Sequence, residues 1–182
     1  MEIEELIKSC QNNDAKAYEV LYKKYYRVLY GITLRYCRTS AEAEDVLQDS
    51  FIKIFQNITS YKNEGSFEGW LKHIVRNTSI NYYRSQVKFN QTVSLSSENY
   101  DIGNDSFNDI LDSFSTNEIL KQLNNLPEGY RLVVNLYCID GYTHKEIGEM
   151  LNISAGTSKS QLFKAREYLK KAIEPKEKIL IA

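Results

Sequence analysis

The sequence predicts an all-α fold: two small helical domains joined by a flexible acidic linker. Only two prolines and eight glycines interrupt the 182 residues, and no strand-like alternation of apolar and polar residues persists. Apolar residues recur at helical spacing in two stretches, and a polar, acid-rich stretch lies between them. We therefore place the domains at residues 1–86 and 117–182, with the linker at residues 87–116.

Four helices are predicted in the first domain. The first covers residues 3–10, and the second begins after Asp14, a residue type that caps helix N-termini. The third follows Ser40 and should pack against the second as a hairpin, and the fourth covers residues 67–84 after a polar loop at 56–66. The positions expected to face the core are Tyr18, Leu21, Tyr22, Tyr25, Leu29, Ile32, Tyr36, Val46, Leu47, Phe51, Ile54, Phe55, Leu71, Ile74, Val75 and Ile80.

The second domain is predicted to contain a helix-turn-helix. Pro127 starts one helix and Gly141 ends it. Thr143 can then cap a short helix that stops at Asn152, and Ser154 can cap a longer one. The inward stripe of that longer helix is expected to be Ser158, Leu162, Ala165 and Leu169. Its one polar member, the serine, needs a hydrogen-bond partner in that position.

The opposite side of the longer helix is a candidate DNA-reading face. In a helix-turn-helix, the second helix enters the major groove and meets base edges and phosphates. The candidates are Lys159, Ser160, Gln161, Phe163, Lys164 and Arg166. Residues 159–178 carry seven basic and three acidic side chains, although the net charge of the chain is −1. The alternative is an amphipathic helix pair that only packs in a core.

Aromatic and basic residues alternate between the loop at 56–66 and the end of the fourth helix. They are Tyr61, Phe67, Trp70, Tyr82 and Tyr83, with Lys62, Lys72, His73, Arg76, Asn77, Asn81 and Arg84. Rings that stack on bases, beside positive charge along the backbone, are typical of single-strand binding, and an extruded base needs a small polar pocket. The alternative is that Phe67 and Trp70 are core residues.

Other classes of protein are disfavoured. No apolar run reaches about eighteen residues and the N-terminus is acidic, so we expect a cytoplasmic protein with no membrane insertion. Cys10, Cys37 and Cys138 are isolated, which disfavours a zinc site or a disulfide scaffold. Phosphate-binding loops, metal-ligand spacings and nucleophile–base sets are missing from the sequence, so we expect neither an enzyme nor a cofactor.

Three motifs in order carry a family resemblance. Residues 43–51 read Ala-Glu-Asp-Val-Leu-Gln-Asp-Ser-Phe, residues 66–71 read Ser-Phe-Glu-Gly-Trp-Leu with Arg76-Asn77 beyond, and the helix-turn-helix follows. Together they resemble a bacterial RNA polymerase sigma factor of the extracytoplasmic function (ECF) group in the sigma-70 family, over nearly the whole chain. The resemblance implies that the first domain is the sigma region 2 helical bundle and the second is the region 4 helix-turn-helix.

The resemblance also implies three sets of contact residues. Those for the clamp helices of the core polymerase are Asp45, Leu47, Gln48, Asp49, Phe51 and Ile52, with the apolar members adding contact or supporting packing. Those for the minus-ten element are Asn57, Tyr61, Ser66, Phe67, Trp70, His73, Arg76, Asn77 and Arg84. Those for the minus-thirty-five element are His144, Lys145, Thr157, Lys159, Ser160, Gln161, Phe163, Lys164 and Arg166.

The function implied is promoter recognition. The chain would bind core polymerase at the clamp helices and the flap, recognise both elements as duplex and single-stranded DNA, and help to open the duplex. An anti-sigma factor is a further expected partner. Two other interpretations stay open: a stand-alone helix-turn-helix regulator that binds duplex DNA as a dimer, and a helical adaptor that binds proteins.

Overall fold

The computed structural model describes residues 2–90 and 116–177, with side chains for residues 2–86 and 121–172. The described residues fall into two compact units, one within each range. They contain no strand, which confirms the all-α prediction. Most of the predicted linker, residues 91–115, and the last residues, 178–182, lie outside the described residues. The exact domain limits therefore stay a prediction.

The first unit is built from helices that contact one another side by side. Its elements are α1 (Ile3–Gln11), α2 (Ala15–Tyr36), α3 (Ser40–Asn57), a 3-10 turn (Ile58–Ser60) and α4 (Phe67–Asn90). Helices α2, α3 and α4 contact one another pairwise, and α1 contacts α2. Helix α4 extends beyond the predicted end at residue 84 because residues 85–90 include no glycine or proline.

Side-chain caps set where α2 and α3 begin. A carboxylate oxygen of Asp14 accepts a hydrogen bond from the backbone N–H of Lys16 at 2.9 Å, as predicted. Helix α3 is capped by Thr39 rather than Ser40. The Thr39 hydroxyl accepts from the N–H of Glu42 at 3.2 Å, and the Glu42 carboxylate accepts from the N–H of Thr39 at 3.2 Å. This reciprocal pair is a capping box.

The core of the first unit follows the predicted apolar positions with four exceptions. Tyr22 is 37% exposed, and Tyr18, Phe55 and Ile74 are half-buried. Close to Ile74 on α4, Thr78 and Ser79 are buried instead, at 4% and 1% exposure. Their hydroxyls donate to backbone carbonyls one turn earlier at 2.9 Å. Because these side chains satisfy their own polar groups, they fit into a helix interface that the apolar pattern alone does not mark.

The second unit contains the helix-turn-helix. Its elements are α5 (Thr116–Asn125), α6 (Glu128–Val134), a π turn (Asn135–Ile139) that continues α6, α7 (His144–Leu151) and α8 (Ala155–Glu177). Gly141 has a φ of +77°, a conformation that ends the π turn and that favours glycine. The π turn was not predicted, since one extra residue in a helical turn has no compositional signature.

The predicted caps of the helix-turn-helix are confirmed. The Thr143 hydroxyl accepts from the N–H of Glu146 at 3.3 Å, and the Glu146 carboxylate accepts from the N–H of Thr143 at 2.8 Å. Asn152 ends α7 with a φ of 57°, and the Ser154 hydroxyl accepts from the N–H of Thr157 at 2.9 Å. The inward stripe of α8 is also confirmed: Ser158, Leu162, Ala165 and Leu169 are at most 4% exposed.

Gly148→Ala is expected to destabilise the second unit by about 1–3 kcal/mol, because overpacking of a buried site displaces its neighbours. A Cβ at Gly148 would lie 2.8 Å from the carbonyl oxygen of Ile153, a backbone atom in the turn between α7 and α8. Chemical denaturation of the two forms measures the loss. Gly69→Ala in α4 is the matched control, since its Cβ would meet only an ordinary contact at 3.6 Å. Equal losses at the two glycines would contradict the packing argument.

Candidate polymerase and nucleic-acid interfaces

Helix α3 presents a polar face with one large apolar residue. Asp45, Gln48 and Asp49 are exposed, and Ile52 is 54% exposed. These four positions recur at steps of three and four residues, so they share one face of the helix. Exposed carboxylates beside an exposed isoleucine offer both charge and apolar contact to a basic helical partner. We call these four residues the α3 face.

The other two predicted polymerase contacts lie inside the unit. Leu47 and Phe51 are 1% and 3% exposed, and the Phe51 ring packs on Tyr22 with ring centroids 4.6 Å apart. As direct contacts for a partner these two predictions are corrected, because both side chains are directed into the core. The alternative that the sequence left open, that Leu47 and Phe51 support the packing of α3, stays a prediction.

An aromatic cluster joins the loop at 56–66 to the start of α4. The Tyr61 ring lies 5.1 Å from Phe67 and 5.3 Å from Trp70, measured between centroids. Tyr61 and Phe67 are 8% and 6% exposed, and the Tyr61 hydroxyl donates to the carbonyl oxygen of Gly65 at 2.9 Å. The idea that Tyr61 and Phe67 form an open stacking platform is corrected: their faces pack on other rings. Whether a base approaches this cluster stays a prediction.

Polar side chains form the rim of this loop. Asn57 and Ser66 are exposed. The Asn57 amide donates to the carbonyl oxygen of Lys53 at 2.8 Å, and the Ser66 hydroxyl accepts from the N–H of Gly69 at 3.3 Å. Asn63 and Gly65 have φ values of 57° and 81°, which turn the chain sharply between the two rim residues. We call Asn57 and Ser66 the rim of the loop and the three packed rings its floor.

The predicted minus-ten residues of α4 continue from this loop. Trp70, His73, Asn77 and Arg84 recur at helical spacing on one face, and each is at least partly exposed. The His73 Nε2 and Asn77 Nδ2 atoms lie 2.8 Å apart, so the two side chains orient each other. Arg76 is half-buried on the adjacent face. The structure thus brings the loop rim and this α4 face together on one unit.

Helix α8 exposes only part of the predicted DNA-reading face. Lys159 is exposed, and Phe163 and Lys164 are partly exposed. Ser160 and Gln161, predicted to be open to DNA, are only 6% and 7% exposed. The Ser160 hydroxyl donates to the carbonyl oxygen of Thr157 at 3.0 Å, and the Gln161 amide lies over a glycine of α6, Gly129, where a Cβ would come within 3.2 Å of it.

His144 connects the two helices of the helix-turn-helix. Its Nδ1 lies 2.9 Å from the Ser158 hydroxyl, which supplies the partner that the buried serine was predicted to need. Its ring stacks on Tyr137 with centroids 4.4 Å apart and planes 16° apart. Burial, and then the charges of Lys159 and Arg166, lower the pKa of His144. The predicted phosphate contact would therefore be made by a neutral ring at neutral pH.

We expect the second unit to lose stability as the pH falls below about 6.5, the ordinary pKa of histidine. Since the pKa of His144 is lowered in the folded state, the unfolded chain takes up the proton first, and acid favours unfolding. The stabilisation is complete above 6.5 and is lost as the pH drops toward the folded pKa. Denaturation midpoints over this range, compared between the natural chain and His144→Gln, measure the effect. An unchanged pH dependence in the variant would contradict it.

The described residues show no metal-ligand cluster, no membrane-spanning helix and, at Cys10 and Cys138, no reactive thiol. Cys10, Cys37 and Cys138 are not joined in disulfides, and burial raises the pKa of Cys10 and of Cys138 to about 11, so neither Cys10 nor Cys138 is a ready nucleophile. No cluster of three potential metal ligands occurs among residues 2–86 and 121–172. Within the part of the chain that the structure describes, no helix has the length and apolar character needed to cross a membrane.

Known families match both units. Sigma-70 region 2 matches residues 21–89, and Sigma-70 region 4 matches residues 116–169. The ECF RNA polymerase sigma-E factor of Haemophilus influenzae is 30% identical over 179 residues, covering 93% of this chain and 94% of that protein. The ECF RNA polymerase sigma-E factor of Escherichia coli K12 is 27% identical over 179 residues, covering 93% of each.

Two solved structures are also similar to this chain at low sequence identity. CnrH in complex with the cytosolic domain of CnrY has a TM-score of 0.49 and 17% identity, covering 93% of this chain and 96% of that one. The sigma factor RpoE in complex with the anti-sigma factor NepR from Bartonella quintana has a TM-score of 0.49 and 20% identity, covering 88% of this chain and 98% of that one.

A chain that carries region 2 followed by region 4 is a sigma factor. The chain belongs to the ECF RNA polymerase sigma factors of the sigma-70 family. It acts in promoter-directed transcription initiation, as a partner of RNA polymerase core and promoter DNA. The interpretation as a stand-alone regulator is not favoured, because region 2 accounts for the first unit.

Proposed function

We propose that this sigma factor uses the first unit for two coupled contacts. The α3 face, Asp45, Gln48, Asp49 and Ile52, binds the clamp helices of core polymerase. The observation that carries this proposal is that α3 leads directly, through the turn Ile58–Ser60, into the loop with the polar rim and aromatic floor. Binding at the α3 face therefore fixes the position of the loop relative to the polymerase.

The loop is proposed to capture an extruded base of the minus-ten element. Asn57 and Ser66 on the rim are exposed to meet a base edge, and the buried ring of Tyr61 keeps the floor apolar and rigid. The α4 face with His73, Asn77 and Arg84, together with Arg76, follows the strand backbone. Unpairing costs a few kcal/mol per base, and capture offsets that cost, so recognition and melting are coupled.

The second unit is proposed to recognise the minus-thirty-five element. The residues proposed to enter the major groove are Lys159, Phe163 and Lys164, which are exposed or partly exposed on α8. Phosphate contacts are proposed for His144 and Lys145 at the start of α7 and for Thr157 and Arg166 on α8. Ser160 and Gln161 would reach base edges only after their side chains rotate out of the interior.

We further propose that the chain works in the cytoplasm without catalytic chemistry of its own, and that an anti-sigma factor competes for the α3 face. The exposed Ile52 supports this competition, because a second partner that covers it removes apolar surface from water. The flap of the polymerase is proposed to contact the second unit.

Footprinting with and without core polymerase tests the proposal. We expect promoter protection at two separated elements only when core polymerase is present. Protection of a palindrome by the protein alone would favour a dimeric regulator. Absence of protection in both conditions would favour an adaptor.

A further inference from the structure

Helix α1 is a part of the first unit that the region 2 match does not include. That match begins at residue 21, whereas α1 spans Ile3–Gln11 and contacts both α2 and the turn Ile58–Ser60. Its inner side is closely packed: Leu6, Ile7 and Cys10 are 1%, 3% and 0% exposed. Helix α1 is therefore docked on the turn that leads into the loop.

The last residue of α1 bonds across this contact. The Gln11 Nε2 atom donates to the carbonyl oxygen of Ile58 at 3.1 Å and to the carbonyl oxygen of Tyr61 at 3.2 Å. The Ile58 carbonyl also accepts from the N–H of Tyr61 at 3.2 Å. The Gln11 amide, which is distant in sequence, thus joins Ile58 at the start of the turn to Tyr61, the residue directly after the turn.

The contact at Tyr61 extends to the rim of the loop. The Tyr61 hydroxyl is bonded to the carbonyl oxygen of Gly65, which directly precedes Ser66. Tyr61 is therefore held at three points: its carbonyl oxygen accepts from Gln11, its ring packs on Phe67, and its hydroxyl donates to Gly65. Asn57 directly precedes Ile58, which Gln11 bonds, whereas Ser66 is connected to Gln11 through Tyr61 and Gly65.

We propose that Gln11 is a positioning residue for the base-capture loop: it sets how strictly the loop selects the extruded base, without touching DNA. This inference rests on the proposed function of the loop. Gln11 holds the loop by donating hydrogen bonds, because its two partners are carbonyl oxygens that can only accept. A side chain of the same shape that cannot donate should loosen the loop and flatten its preference among bases.

Gln11→Glu is the test, since a carboxylate has the same shape, cannot donate, and would face two carbonyl oxygens. Asn12→Asp is the matched control: it makes the same chemical change at the next residue, whose side chain is exposed. The readout is the affinity of the holoenzyme for four single-stranded minus-ten oligonucleotides that differ only at the extruded base. Loss of two hydrogen bonds should reduce the ratio of best to worst base about tenfold in Gln11→Glu and leave Asn12→Asp unchanged.

Gln11→Lys separates positioning from general folding, because an ammonium can donate to both carbonyls. We expect Gln11→Lys to keep most of the base preference and all three variants to bind core polymerase as the natural chain does. Equal loss of preference in Gln11→Lys and Gln11→Glu would overturn the inference, as would an unchanged preference in Gln11→Glu. If the natural holoenzyme shows no preference among the four bases, the proposed function of the loop fails instead.

Discussion

Asp45→Lys is expected to lower the affinity for core polymerase about a hundredfold. Asp45 is exposed at the N-terminal end of the α3 face, so its side chain is not part of the core of the first unit. Placing a like charge against a basic partner costs several kcal/mol, and each 1.4 kcal/mol is about a factor of ten in affinity. The fold should be retained, because a solvent-exposed helix position accepts lysine readily.

Titration of labelled core polymerase with the variant measures this loss. Glu4→Lys is the matched control, since Glu4 is an exposed acid on α1 and the change in net charge is identical. We expect the control to bind as tightly as the natural chain. Equal weakening by both variants would show that net charge, rather than the α3 face, governs binding.

Reversing Lys159 and Lys164 together to glutamate is expected to abolish selective binding of the minus-thirty-five element. Both side chains lie on the accessible part of α8, and α8 is the helix that would enter the major groove. The expected loss of affinity is about a hundredfold, because the reversal puts two negative charges into the groove, which also lowers the slope of affinity against salt. Since these lysines are proposed to reach base edges, the variant should also lose its preference for the minus-thirty-five element over an unrelated sequence.

The matched control is Lys170→Glu with Lys171→Glu. These lysines are exposed farther along the same helix, and the double change alters net charge equally. Binding of holoenzyme to promoter fragments across a range of salt gives both affinity and slope. If the control reduces affinity and slope as much as the Lys159 and Lys164 reversal, the location of the reading face is wrong.

The elements set by nearby residues were predictable from sequence. Thr143, Asn152 and Ser154 define the ends of α7 and the start of α8 through bonds that span only a few positions. The buried stripe of α8 follows from helical periodicity alone. The prediction that Ser158 needs a partner was also confirmed, because burial of a hydroxyl creates that demand wherever the partner lies.

Features that depend on distant residues were not predictable. Gln161 is buried because Gly129 of α6 leaves room for its amide, and nothing on α8 itself signals that. Tyr61 and Phe67 look like a stacking platform in sequence, yet they pack against each other and against Trp70. Leu47 and Phe51 share a helix with the acidic residues of the α3 face, but they lie on its inner side.

Transcription in vitro, with sigma-free core polymerase and a genomic promoter library, tests the central claim most directly. We expect discrete transcript starts that appear only when the protein is added, each preceded by the same two-part sequence element. An absence of new starts, despite active core polymerase, would contradict the assignment of promoter recognition to these two units.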